Sequence, residues 1–233
     1  MPRCNRYFLS DKIWHITHRC HKRDFLLKFK RNRQRWIRWL FEAKKRFGLC
    51  VLNYCVTSNH IHLLVFDCGN KEIIKSMQLI EGRVAQEYNI HKKREGSFWD
   101  DRYHATMVEM GNYLLRCSSY IDFNMVRAGV VKHPSDWKES GFNEIIKGQN
   151  RYRIINREKL SELLGLLNVE ELSDFYNERT EYFLNRIEEN KYAAEWTESI
   201  AVGSRCFVQE IKKTITSKKR TIKKLSDGIT VLS

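Results

Sequence analysis

Two prolines and eleven glycines in 233 residues are too few for a collagen-like or low-complexity chain. No apolar run approaches the roughly 18 to 20 residues that a membrane-spanning helix requires. The opening residues MPRCNRYFLS lack the apolar stretch of a secretory leader. The seven cysteines, at positions 4, 20, 50, 55, 68, 117 and 206, are odd in number and include no Cys-x-x-Cys pair, so neither a disulfide framework nor a tetrathiolate zinc site is indicated. Cys50, Cys55 and Cys117 fall on apolar stretches and read as small core residues. A reduced, cytoplasmic protein without a membrane partner is expected.

What is present supports a packed core and a charged surface. Hydrophobic residues make up 42% and aromatics 12%, enough to exclude a disordered chain. The 42 Lys+Arg outnumber the 28 Asp+Glu, giving a net charge of +14. That charge is uneven: residues 1–150 carry +12, residues 158–198 carry −7 and residues 199–233 carry +6. Clustered basic residues of this kind point to nucleic acid, with a merely solvated basic face as the alternative.

The segment from Lys12 to Cys20 alternates with period 2 and predicts a first strand. From Arg31 to Phe47, Trp36, Ile37, Leu40 and Phe41 recur at helical spacing and Gly48 supplies the stop. Cys50 to Thr57 and His60 to Phe66 are β-rich runs separated by Ser58 and Asn59 alone, a link short enough to make a hairpin. A second helix is predicted over Lys71 to Asn89, a fourth strand over Tyr103 to Val108, and a helix from Gly111 to just before Gly129. The order β-α-β-β-α-β-α predicts an α+β fold with a ferredoxin-like antiparallel sheet covered by helices. Residues 1–148 form that unit, and residues 149–233 form a helical extension ending in a basic tail. In the extension, helices are expected over Arg157–Leu167, Val169–Tyr176, Asn177 to about Trp196, and Arg205–Ile215.

Two pairs of residues could carry chemistry. His60 and His62 stand at i and i+2 on a predicted strand, so both side chains share one face about 7 Å apart. They could converge on a divalent cation with a third group, or be ordinary surface or core histidines. Tyr120 and Asn124 stand four apart on a predicted helix and share its face, where a nucleophile and an amide ligand would suit the same chemistry. A tyrosine among Leu114, Leu115 and Ile121 could equally be core.

The setting of these pairs resembles a family. Thr57-Ser58-Asn59-His60-Ile61-His62-Leu63-Leu64 is similar to the SNHxHLL signature of the single-tyrosine HUH transposases. Ser119 to Gly129, SYIDFNMVRAG, resembles the YI-x-x-NPVRAG signature of their REP-associated tyrosine transposase branch, with Met125 in place of Pro. His15-Ile16-Thr17-His18-Arg19-Cys20 resembles the first-strand motif, and Gly96 to Tyr103 the G-x-x-WQ-x-R loop, with Asp100-Asp101 in place of Gln-Gly. None of these departures removes a candidate catalytic group. The resemblance implies His60, His62 and Asn124 as ligands to Mg²⁺ or Mn²⁺ and Tyr120 as the nucleophile. It implies nicking and strand transfer of hairpin-bearing single-stranded DNA through a 5′-phosphotyrosine, by a monomer or homodimer. DNA contacts are expected from Arg19, Arg31, Arg33, Arg35, Arg38, Arg102 and Arg127, and from Lys218, Lys219 and Arg220 of the tail. The base that takes the phenol proton is open, with His104 as one candidate.

Two rivals remain at this stage. A catalytically inactive or domesticated hairpin-binding protein would keep the same surface. A hydrolase of the histidine-triad type would want a third alternating histidine, and position 64 is Leu64.

Overall fold

The computed structural model describes residues 9–148, 151–186, 193–215, 220–225 and 228–233. Strands β1 (Ile13–Arg19), β2 (Cys50–Val56), β3 (His60–Phe66) and β4 (His104–Val108) pair antiparallel in the order β2-β3-β1-β4. Helix α1 (Lys30–Phe47) joins β1 to β2 and packs on α2 (Glu72–Lys92), which joins β3 to β4. This is the ferredoxin-like α+β arrangement expected from the order of elements.

The register sorts side chains onto two faces. Thr17 lies opposite His62 and His15 opposite Leu64, while on the other neighbour Cys55 meets His62 and Asn53 meets Leu64. Residues paired across neighbouring strands share a face, so His15, Thr17, Asn53, His60 and His62 form one polar face. The alternate residues Ile16, Tyr54, Ile61, Leu63 and Val65 form an apolar face that α1 and α2 cover, with Trp36 of α1 against Tyr54. Helix α3 (Asn112–Asp122) follows β4 and covers the polar face.

The single helix expected from Gly111 to Gly129 is broken. Phe123, with φ −81° and ψ 3°, separates α3 from α4 (Asn124–Arg127). At the break the Arg127 side chain donates from Nη2 to the Tyr120 carbonyl at 2.6 Å, an acceptor of the kind a helix end leaves open. Tyr120 and Asn124 therefore meet across a joint rather than along one continuous helix face.

Beyond it come α5 (Phe142–Lys147), α6 (Arg157–Leu164), α7 (Glu171–Leu184), α8 (Glu195–Glu198) and α9 (Arg205–Thr214). Helix α7 runs through Tyr176, where one expected helix ends and the next begins; residues 187–192 of that next helix lie outside the described residues. The extension also supplies strands β5 (Ala201–Gly203), β6 (Ile222–Lys224) and β7 (Thr230–Leu232). β5 runs parallel to β4, β7 pairs with β5, and β6 closes the edge, giving a seven-stranded sheet of order β2-β3-β1-β4-β5-β7-β6. The basic tail is thus partly ordered by pairing: β6 within it lies against β7, whose Thr230, Val231 and Leu232 are all buried. Lys218 and Lys219 lie outside the described residues.

Candidate active site

The turn between β2 and β3 is built around one hydroxyl. Thr57 Oγ1 accepts from the backbone N–H of Asn59 (3.3 Å) and of His60 (3.1 Å) and donates to the His60 carbonyl (2.9 Å). Asn59 donates through Nδ2 to the Arg23 carbonyl at 3.2 Å, which turns its Oδ1 toward His60 Nδ1 at 2.7 Å. An amide oxygen only accepts, so His60 carries its proton on Nδ1 and its lone pair on Nε2.

His62 sits one pleat further in. Its ring lies 4.9 Å from that of His60 and 5.6 Å from that of Tyr120, centroid to centroid. Nδ1 is 2.9 Å from His15 Nε2, and Nε2 is 3.0 Å from Asn124 Nδ2. All three histidines are neutral near pH 7. Burial, seconded by the Arg19 charge, lowers His60 to about 4. Burial lowers His15 to about 4 against a partial offset from the Trp196 carbonyl. Burial, with His60 and His15 as neighbours, holds His62 well below the usual histidine value.

Tyr120 is buried, with its ring edge-on to His62 and to His15. The Arg127 guanidinium packs on that ring, 4.4 Å from its centroid. The two motifs, 58 residues apart between His62 and Tyr120, thus converge on one point holding a phenol, two neutral imidazoles, an amide and a guanidinium. Among the described residues no group of three or more His, Cys, Asp or Glu is placed to hold a metal ion. A cation here would depend on two imidazole lone pairs and the Asn124 amide oxygen. That oxygen and the Asn124 nitrogen exchange places by a half-turn of the side chain, so the donor set fits an oxygen- and nitrogen-seeking divalent ion.

Residues 9–124, about half of the chain, match the family described as "Transposase IS200 like". The chain belongs to the IS200-like transposases. No curated protein matches this transposase. Its fold is that of a solved REP-associated tyrosine transposase bound to a REP hairpin, with a TM-score of 0.53 at 19% identity, over 63% of this chain and 86% of that one. A chain from Deinococcus radiodurans described as a transposase aligns at 15% identity with a TM-score of 0.35, over 44% of this chain and 83% of that one, a superposition too partial to bear on the fold.

The remaining expected site residues divide by position. In this IS200-like transposase Arg31 and Arg102 are exposed, and Arg19 and Arg220 half-buried. Arg35 and Arg38 both pair with Glu87 of α2, at 2.9 and 2.6 Å, tying α1 to α2. Arg33, expected at the DNA, is turned into the fold: it is buried, bonds Glu139 at 3.2 Å and donates to the Leu27 and Lys28 carbonyls. Arg127 belongs against Tyr120 rather than on an outer surface. His104 bonds the Ser199 carbonyl through Nε2 at 2.9 Å. The sequence marks His15 only as part of a first-strand motif. The signal that could have found it was the alternation placing His15 and Thr17 on one face of β1, the same period that places His60 and His62 on one face of β3.

Proposed function

We propose that this transposase is a metal-dependent single-stranded DNA nickase and strand transferase of the REP-associated tyrosine branch, acting at hairpin-flanked sites through Tyr120. The convergence of Tyr120, His62, His60 and Asn124 on one point carries this reading. A divalent cation, Mg²⁺ or Mn²⁺, held by His60 Nε2, His62 Nε2 and Asn124 Oδ1, would supply Lewis-acid stabilisation of the scissile phosphate.

The chain's own groups do the rest. Tyr120 Oη attacks phosphorus as the bond to the 3′ oxygen breaks, leaving a 5′-phosphotyrosine and a 3′-hydroxyl that takes up the proton. One phosphoester replaces another, so an incoming 3′-hydroxyl reverses the step and joins strands without a nucleotide cofactor. A phenol ordinarily ionises near pH 10. The Arg127 guanidinium against the ring favours the phenolate by charge.

The DNA surface in this reading starts beside the histidine turn. The loop after β1 is fastened there, with Leu27 donating its N–H to the Ser58 carbonyl and Cys20 donating to that of Asn59. It presents Phe25 and Phe29, 66% and 60% exposed, among Lys22, Arg23, Lys28, Lys30 and Arg31. Ring faces amid basic side chains suit unpaired bases on a phosphate backbone. Arg19 and Arg102 extend the basic rim, and Arg220 lies beside β6.

The test is a labelled single-stranded hairpin incubated with Mn²⁺ or Mg²⁺. Wild type yields a denaturant-resistant protein–DNA adduct and Tyr120→Phe yields none. No adduct from wild type, with hairpin binding intact, would establish the inactive hairpin-binder instead.

A further inference from the structure

We propose that His15 is a positioning residue for the catalytic centre, and that the C-terminal extension sets it through the backbone carbonyl of Trp196. The inference rests on the proposed role of His62 as a ligand, but its physical basis does not.

Three contacts run in series. The Trp196 carbonyl oxygen is 2.8 Å from His15 Nδ1, His15 Nε2 is 2.9 Å from His62 Nδ1, and His62 Nε2 is 3.0 Å from Asn124 Nδ2. The His15 and His62 rings are within 12° of parallel with centroids 5.1 Å apart, side by side as a bond in the ring plane requires. A carbonyl has no proton to give, so His15 Nδ1 must donate to it. A neutral imidazole has one N–H, which leaves His15 Nε2 as an acceptor. His62 must then donate from Nδ1, and its lone pair falls on Nε2, facing Asn124. One backbone oxygen thus fixes the tautomer of a histidine two links away.

Burial makes the series binding. His15 is 0% and His62 2% exposed, so solvent does not offer the competing partners that would let either ring change tautomer. The alternative His62 tautomer would carry its proton on Nε2, turn the Asn124 amide oxygen toward it, and leave no lone pair there for a cation.

The far end is held by several bonds. Ser199, three residues on from Trp196, accepts from Thr106 Oγ1 at 2.6 Å and from His104 Nε2 at 2.9 Å. β5 then pairs in parallel with β4, Met107 opposite Ala201 and Val108 opposite Val202. Residues from 181 positions away in sequence therefore reach the histidine face and orient it. Partners of this kind behind a ligating imidazole typically govern metal affinity by about 10- to 100-fold.

The test uses full-length protein labelled with ¹⁵N histidine, in which long-range ¹H–¹⁵N spectra report each tautomer without metal or DNA. Wild type is expected to have His62 protonated on Nδ1. His15→Phe, which keeps a ring but offers no acceptor, should shift His62 toward the Nε2–H form and weaken Mn²⁺ binding, measured by electron paramagnetic resonance, by about 10- to 100-fold. His15→Gln should restore both, because its amide can donate to Trp196 and accept from His62. A His62 that stays Nδ1-protonated in His15→Phe, or a wild type with the Nε2–H form, would overturn the proposal. A wild type with the expected tautomer but no phosphotyrosine adduct would leave the relay standing and sink the catalytic reading instead.

Discussion

The Arg127 guanidinium carbon lies 4.4 Å from the centroid of the Tyr120 ring, and the same side chain donates to the Tyr120 carbonyl at 2.6 Å. One residue thus fixes the tyrosine's backbone and biases its ring electrostatically. A cation this close to an ionisable group favours its charged form over its neutral form, by roughly tenfold or more. Arg127→Met keeps the aliphatic packing and removes the charge. It should slow adduct formation by that factor at pH 7, and the deficit should shrink as pH rises toward the ordinary phenol range. A deficit independent of pH would show that the residue acts through packing alone.

Asn124 bonds His62 from the first position of α4. Asn124→Ala should leave the protein folded and its hairpin affinity within about twofold, because the side chain is at the centre rather than on the basic rim. Mn²⁺ affinity, measured by calorimetry, should fall at least about tenfold. Removing divalent ions from wild type with a chelator should abolish the adduct while sparing DNA binding.

Phe25 and Phe29 are exposed beside the histidine turn. Replacing both by Ala should weaken single-stranded DNA binding by about 1 to 3 kcal/mol per stacked base while leaving its salt dependence unchanged. Replacing Lys28 and Lys30 by Gln should do the reverse, flattening the slope of log K against log salt by about 0.7 per lost phosphate contact. Fluorescence anisotropy at several salt concentrations separates the two.

Asp122, the last residue of α3, is buried and accepts from Asn53 Nδ2 at 2.9 Å. Burial raises its carboxyl to about 7, against offsets from Asn53 and Arg127. The folded value lies above the unfolded one, so its contribution is full below pH 4 and is lost as pH rises through about 7. Asp122→Asn keeps the acceptor and removes the ionisation. Its stability relative to wild type, from urea melts, should therefore be greater at pH 8 than at pH 5.

The ferredoxin-like order and the two motifs of the candidate site were legible because the strands and helices of that unit, five residues or more, repeat their period, and because His60 and His62 sit on β3 as spacing required. The break at Phe123 was not legible. The helical spacing of Tyr120, Ile121 and Asn124 continues across it, and its marker is a side-chain bond from Arg127. Strands β5, β6 and β7 span three residues each, too few to display a period. β6 contributes two lysines and reads as a solvated tail until β7 lies beside it. His15 was in view, but its partner Trp196 is 181 positions away and engages through a main-chain oxygen that no side-chain pattern encodes.

The sheet order has a consequence for assembly. β7 is later in sequence than β6 yet lies between β6 and β5, so β6 has no neighbour to pair with until β7 has been made and inserted. During synthesis the basic segment around β6 must wait beside an unfinished sheet edge while the ferredoxin-like half is already complete. A nascent chain stalled before residue 230 would carry the whole phenol–imidazole cluster but an open β5 flank, which a protease or a second nascent chain could engage.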